Sequence, residues 1–320
     1  MKSKFPIIKN LKIFGIISVL LCITGLVSLI LLPFGTNLYN LAIDFAGGTQ
    51  MEFNMHTEVT AQVSDEIAAL VEEQTGVKPE APVATGTDKD HVQIRSTSLD
   101  TEQREKVISA MKEKYSLSDD DLEKSDDVSA SVGNDLKKAA FTSAFIAVVL
   151  MLIYITLRFE FTSGLAAVCC LIHDLLVMLS VYVIFQIPLN QNFIAAALTI
   201  LGYSINASII VFDRVRENMR TARKESFEDI AEKSIWQTLG RTVNTTLTTL
   251  FTVGMIFILG VSSLRDFTLP LLVGIISGAY SSIFLASSLW AFFRKHLRKK
   301  AYSTEFVFIM GVPFGVSPFF

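Results

Sequence analysis

An apolar run from Ser163 to Phe185 carries His173 and Asp174 side by side, about ten residues from either end. A charge at that depth in a bilayer costs at least about 2.5–3.5 kcal/mol, so the pair needs a buried partner or a water path. Imidazole titrates near neutral pH, and carboxyl groups are the other common intramembrane proton carriers. Proton exchange is the chemistry these two residue types offer. The plainer alternative is a satisfied polar clamp between helices. Two further sets stand on neighbouring runs. Between Leu198 and Asn218, residues Thr199, Gly202, Asn206 and Asp213 share one helical face. Arg241, Thr245, Thr248 and Thr252 follow at steps of four, three and four, with Asn244 beside them. Such hydroxyls and amides either join helices, at about 0.6–2 kcal/mol per hydrogen bond, or line a polar path. Arg241 and Asp213 lie near span ends, where a charge is either an orientation anchor or a working group. A polar seam between these two helices is the expected arrangement. Gly274 and Gly278, with Ser277, Ser281 and Ser282, make a small-residue face suited to close helix packing, and Gly202 extends the set of small packing positions.

These residues need spans to hold them. Of the 320 residues 51% are hydrophobic and only 18% charged, against about 25% charged in ordinary soluble domains. Mean hydropathy is +0.46. Six apolar runs approach the length of a membrane-crossing helix: 13–32, 139–157, 163–185, 193–212, 242–261 and 267–293. The first follows Lys2, Lys4, Lys9 and Lys12 and ends in Leu32-Pro33-Phe34 without a small-residue cleavage site, so it reads as an uncleaved span. Charge then sets orientation. Residues 33–133 hold 20 acidic and 8 basic residues, a net of −12, which leaves +9 for the remainder. Arg158, the basic segment 213–241 and the cluster Arg294–Lys300 fall on the side of residues 1–12. The links 187–192 and 262–266 carry almost no charge. The positive-inside rule therefore places both termini in the cytoplasm and the acidic region outside. This charge split is a topology signal, not a nucleic-acid footprint. Cys22, Cys169 and Cys170 sit in apolar runs and read as packed thiols. No phosphate loop, HExxH, GxSxG or dinucleotide pattern occurs in a convincing context, so no cofactor, metal or hydrolytic role is expected.

Residues 33–133 suffice for one small domain. Ile43–Phe53 reads as strand, Gly-Gly turn and strand. Thr60–Gln74 and Asp100–Tyr115 have helical spacing, the second with Asp100 or Thr101 as cap, and Val92–Arg95 alternates like a strand. Asp119–Asp121 with Asp126 and Asp127 reads as a solvated acidic edge, since calcium-loop spacing is absent. The fold class is an α-helical polytopic membrane protein with one α+β extracytoplasmic domain. Residues 213–241 form a cytoplasmic basic loop and 294–320 a cytoplasmic tail. Pro313 and Pro318, with Gly311 and Gly315, argue against a seventh span there.

Several segments together resemble the SecF family of protein-export membrane proteins. They are Gly202-Tyr203-Ser204-Ile205-Asn206 with Val211–Asn218, Ile43–Thr49, His173-Asp174, Arg241-Thr242 and Tyr280–Phe284. The likeness covers residues 10 to 295. It implies six spans in the manner of half an RND-type transporter, in the cytoplasmic membrane of a bacterium. It also implies pairing with SecD beside the SecYEG channel, and use of the proton motive force to draw unfolded polypeptide outward. On that resemblance Arg241 is the intramembrane arginine of the proton path, Asp174 the span-three acid, and Asp213 and Arg214 close the span-four signature. One departure matters. The family often has aspartate after the asparagine of that signature, whereas Ala207 follows Asn206 here. The expected carboxylate then comes from SecD; the other readings are that Asp174 takes the role or that this half is not itself proton-coupled. Competing roles are an RND-type half-transporter of small molecules or lipids and a passive assembly factor of the channel.

Overall fold

The computed structural model describes residues 6–34, 36, 38–86, 89–222, 225–260 and 264–303. The part of the tail beyond Ser303, and with it the expectation of no seventh span, lies outside the described residues. Among the described residues six helices are long and apolar enough to cross a membrane. Apolar side chains crowd α1 (Leu11–Leu31) on every side, and its buried face is lined by small and polar residues: Ser18, Cys22, Gly25 and Ser28, with Phe14. That face lies on α6 (Phe161–Ile184), where Gly25 N donates to Ser180 Oγ at 2.8 Å. A Cβ at Gly25 would come 2.4 Å from the Leu176 carbonyl oxygen, so only glycine admits this approach.

After α1 the chain makes a short helix, α2 (Ile43–Ala46), before β1 (Gly48–Asn54). The expected first strand is thus a helical turn. Gly47 and Gly48, at φ 79° and 122°, swing the chain from helix into β1 instead of closing a hairpin. Helix α3 (Ala61–Thr75) is capped by Thr60, β2 (Val83–Thr85) and β3 (His91–Ser96) follow, and α4 (Thr101–Tyr115) opens on a capping box. Asp100 accepts from Gln103 N at 2.8 Å while Gln103 Oε1 accepts from Asp100 N at 3.1 Å. The acidic segment is itself a strand, β4 (Leu122–Val128), at the edge of an antiparallel sheet ordered β2-β3-β1-β4. Its charges suit an edge left open to solvent. Met51, Phe53, Val92 and Ile94 point from the sheet onto Ile67, Val71, Val107 and Met111, giving a two-layer α+β domain with its own core.

Helix α5 (Ala130–Arg158) leads back, and α6, α7 (Gln191–Thr221), α8 (Phe227–Leu259) and α9 (Arg265–Tyr280) follow. The last span continues through a π-helical segment, Ser281–Ala286, into α10 (Ser287–Ser303). The expected basic loop 213–241 is mostly helix. Helices α7 and α8 run past the apolar zone to Thr221 and from Phe227, because polar residues end a span without ending a helix. Helices α6, α7 and α9–α10 form the buried centre, while α1, α5 and α8 turn broad apolar faces outward. The domain is tied to the spans. Asp44 accepts from Gln191 N at the start of α7 (2.8 Å), and Leu41 bridges Leu189 in the α6–α7 link. At the opposite end Glu232 of α8 accepts from Ile7 N and Ile8 N, at 3.0 and 2.9 Å, holding the entry to α1.

Candidate functional site

Asp174 faces inward where α6, α7 and α9 meet, and it is fully buried. Among the described residues it is the only buried carboxylate. Ser277 Oγ donates to its Oδ1 at 2.6 Å, and His173 Nδ1 lies 2.9 Å from the same oxygen. Ser204 Oγ and Ser281 Oγ donate to Oδ2 at 2.6 and 2.8 Å. An ionised carboxylate offers about four lone-pair sites, and all four are met. Three helices thus converge on one carboxyl group. Sequence spacing marked Ser277 and Ser281 only as small packing residues. Their one-turn separation, with Ser204 in the span-four signature, was the available signal for the cage.

Small residues let these elements close. A Cβ on Gly274 would fall 2.1 Å from Ile200 Cδ1, and one on Gly278 would sit 3.1 Å from Ser204 Cβ. Gly202 has nothing within 4 Å of its would-be Cβ, so it makes no close helix contact in this chain, contrary to expectation.

His173 itself reaches toward α1 and α9. Cys22 Sγ donates to its carbonyl oxygen at 3.6 Å, and the Tyr280 ring centroid is 5.9 Å from the imidazole. Tyr280 Oη donates to the Phe14 carbonyl at 2.8 Å and accepts from Ser18 Oγ at 3.4 Å. His173 Nε2 is buried, with no hydrogen-bond partner among the described residues.

The two polar stripes are placed otherwise than a seam between α7 and α8. Thr199, Gly202, Asn206 and Asp213 are all exposed on α7, and Arg241, Asn244, Thr245, Thr248 and Thr252 are exposed on α8. The hydroxyls that face inward from α8 are Thr238, Thr242 and Thr246, with Ser234. Tyr203 Oη donates to Thr246 Oγ1 (3.3 Å), and Asn218 Nδ2 donates to Ser234 Oγ (2.8 Å). Spacing identifies a helical face but not which neighbour it meets. Each stripe is left exposed on its own helix, while other residues make the contacts between α7 and α8. Along α8 the threonine hydroxyls bend back onto their own helix, Thr245 to Arg241 O at 2.9 Å, Thr248 to Thr245 O at 2.9 Å and Thr252 to Thr248 O at 3.0 Å. Asp213 lies within α7 beside Arg158 Nη2, 3.8 Å away and exposed. Ala207 is on the buried side of α7, next to Asn206.

Residues 107–296 match the family described as protein export membrane protein SecD/SecF, C-terminal. The chain is 39% identical over 305 residues to the protein translocase subunit SecF of Acidaminococcus fermentans, covering 93% of this chain and 100% of that one. It is 34% identical to the protein translocase subunit SecDF of Bacillus subtilis, covering 93% of this chain and 39% of that longer chain. The crystal structure of SecDF from Thermus thermophilus, a translocon-associated membrane protein, superposes with a TM-score of 0.81 at 29% identity. That match covers 92% of this chain and 39% of the other.

Proposed function

The chain belongs to the SecF family of protein-export membrane proteins and acts as a translocase subunit in partnership with SecD; from that premise we propose that it couples the proton motive force to polypeptide export, and that SecD supplies a carboxylate its own fourth span lacks. The observation that carries this reading is the exposed polar side of α7 and α8. Asn206 is exposed on α7, and Arg241 and Asn244 are exposed on α8, a helix that also turns Phe251, Ile258 and Leu259 outward. Lipid offers such groups no hydrogen bonds, so a polar partner surface must cover them. The relatives named SecDF support SecD as that partner.

An acid on the covering helix, opposite Arg241, completes a pair that a passing proton breaks and re-forms. One charge crossing the membrane yields about 2.3 kcal/mol per 100 mV, enough to bias a helix rearrangement without nucleotide or covalent chemistry. The role is therefore not enzymatic. The basic ends of α7 and α8, with Arg214, Arg216, Arg220 and Lys233, support an inner-membrane orientation with both termini cytoplasmic and the acidic domain outside. There the domain meets unfolded polypeptide leaving the SecYEG channel.

The test is export into vesicles holding this chain, its SecD and the channel. Neutralising every membrane-embedded acid of SecD is expected to abolish the gradient-dependent part of export, and retention of that part refutes the proposal. Ala207 favours a second reading, passive assembly of the channel complex. Loss of export in Arg241→Met and Asp174→Asn with normal complex levels excludes it.

A further inference from the structure

We propose that His173 is a proton-binding site inside this chain: Nε2 takes up and returns one proton while Asp174 remains a carboxylate throughout. This rests on the proton-coupled reading above but places a second site within the bundle, away from the partner-facing stripe.

The argument begins with the cage. Both oxygens of Asp174 already accept two hydrogen bonds each, from Ser277 and His173 on one side and from Ser204 and Ser281 on the other. A proton on either oxygen would need a serine hydroxyl to turn from donor to acceptor, as Ser281 could by donating to Gly278 O, so the four contacts favour the anion. Matching the anion requires His173 Nδ1 to carry hydrogen. In the neutral ring, Nε2 is then a bare acceptor, and it is the buried atom without a partner. Among the described residues the ion pairs give Asp174 no lysine or arginine. The unprotonated dyad therefore holds one net negative charge inside the bundle. Adding a proton at Nε2 turns imidazole into imidazolium and makes the dyad neutral, with no change at Asp174.

The surroundings single out this atom. Helix α1 presents Cys22, α6 carries Cys170 and its neighbour Cys169 besides Asp174, α9 presents Tyr280, and among the described residues α7 contributes the Ser204 hydroxyl. None of these titrates as readily as imidazole near neutral pH. The hydroxyls of Tyr280 and Ser18 continue the polar atoms from the dyad toward the N-terminal end of α1. The output is equally local. Asp174 grips Ser277 near the end of α9 and Ser281 at the first residue of the π-helical segment. A charge change at His173 is thus felt where the last span alters its winding, a feature frequent at functional sites.

Two measurements on the complex of this chain with SecD and the channel, in lipid vesicles, decide the matter. The first is 15N magnetic resonance of histidine across a pH series, with His56, His91 and His296 replaced by Gln so that only His173 reports. Its expected result is passage from one protonated ring nitrogen to two, while labelled aspartate shows Asp174 as a carboxylate at every pH. Protonation of Asp174, or a His173 ring unchanged over the range in which export is driven, overturns the proposal. The second is gradient-driven export by His173→Asn, which keeps an amide donor at the Nδ1 position and removes Nε2. Export is expected to fall to the rate without a gradient at normal complex levels, and undiminished export overturns the proposal. If the unaltered complex shows no gradient-dependent export, the proposed function fails, and the resonance series still decides the site.

Discussion

Removing the Ser277 hydroxyl probes the Asp174 cage most directly. In Ser277→Ala, Asp174 Oδ1 loses a donor at 2.6 Å and keeps only the imidazole at 2.9 Å. Two scales compete for the size of the effect. Polar hydrogen bonds between membrane helices average about 0.6 kcal/mol and reach about 1.7, because separated helices find other partners. Hydrogen bonds to charged groups contribute about 1.5–3 kcal/mol. Asp174 is wholly buried, so no bulk water replaces the missing donor, and the larger scale governs. Ser277→Ala should therefore cost about 1.5–3 kcal/mol. In an Asp174→Asn background the hydroxyl meets a neutral amide, and the same substitution should cost no more than about 1 kcal/mol. A double-mutant cycle on reversible unfolding in mixed micelles measures the difference, expected at about 1–2 kcal/mol. A coupling below about 0.5 kcal/mol would refute the claim that these hydroxyls serve an anion.

Gly274→Ala should destabilise the bundle by about 1–3 kcal/mol through overpacking, since its Cβ would fall 2.1 Å from Ile200 Cδ1; Ile200→Ala in the same chain should recover much of the loss, measured by the same unfolding. Thr49→Val should loosen the external domain by about 1–3 kcal/mol, because Thr49 Oγ1 donates to Asp127 at 2.7 Å and accepts from Leu99 N at 2.8 Å; hydrogen exchange at Leu99 reads this. At the membrane-distal end of the sheet, burial pushes His91 down, but hydrogen bonds with Asp90 and Glu123 outweigh it and leave its pKa raised. Its contribution to stability is full below the ordinary imidazole range and is lost as pH climbs through the raised value. Asp90 is lowered chiefly by the His91 hydrogen bond, so on the acid side the clamp is lost as pH falls through that lowered value. Exchange protection of residues 89–91 should thus peak between the two limits, and Glu123→Gln should move the alkaline limit downward; protection independent of pH would contradict this.

Much of the fold was legible because it follows from local chemistry. Asp100 with Gln103 announces a helix start, and that capping box is present. The spans follow from runs of apolar residues, but their ends do not, because α7 carries helix to Thr221 well beyond the apolar zone. Strand β4 was hidden: Asp119–Asp121 with Asp126 and Asp127 reads only as a solvated acidic edge, and pairing with β1 makes Leu122–Val128 extended. Ile43–Ala46 has a strand-like pattern, yet lies before a glycine pair that fixes a change of direction. For the site, the depth of His173 and Asp174 was readable from one run, whereas the three serines come from two other helices and become a cage only on packing. The Arg241 stripe was readable as a face, but not as one that this chain leaves open.

The central claim is that this open face works with SecD to convert a proton gradient into export. Gradient-driven export by Arg241→Met, measured together with the amount of assembled complex, tests it most directly. The account predicts full assembly with export reduced to the level seen without a gradient. Gradient-driven export at the unaltered rate would contradict it.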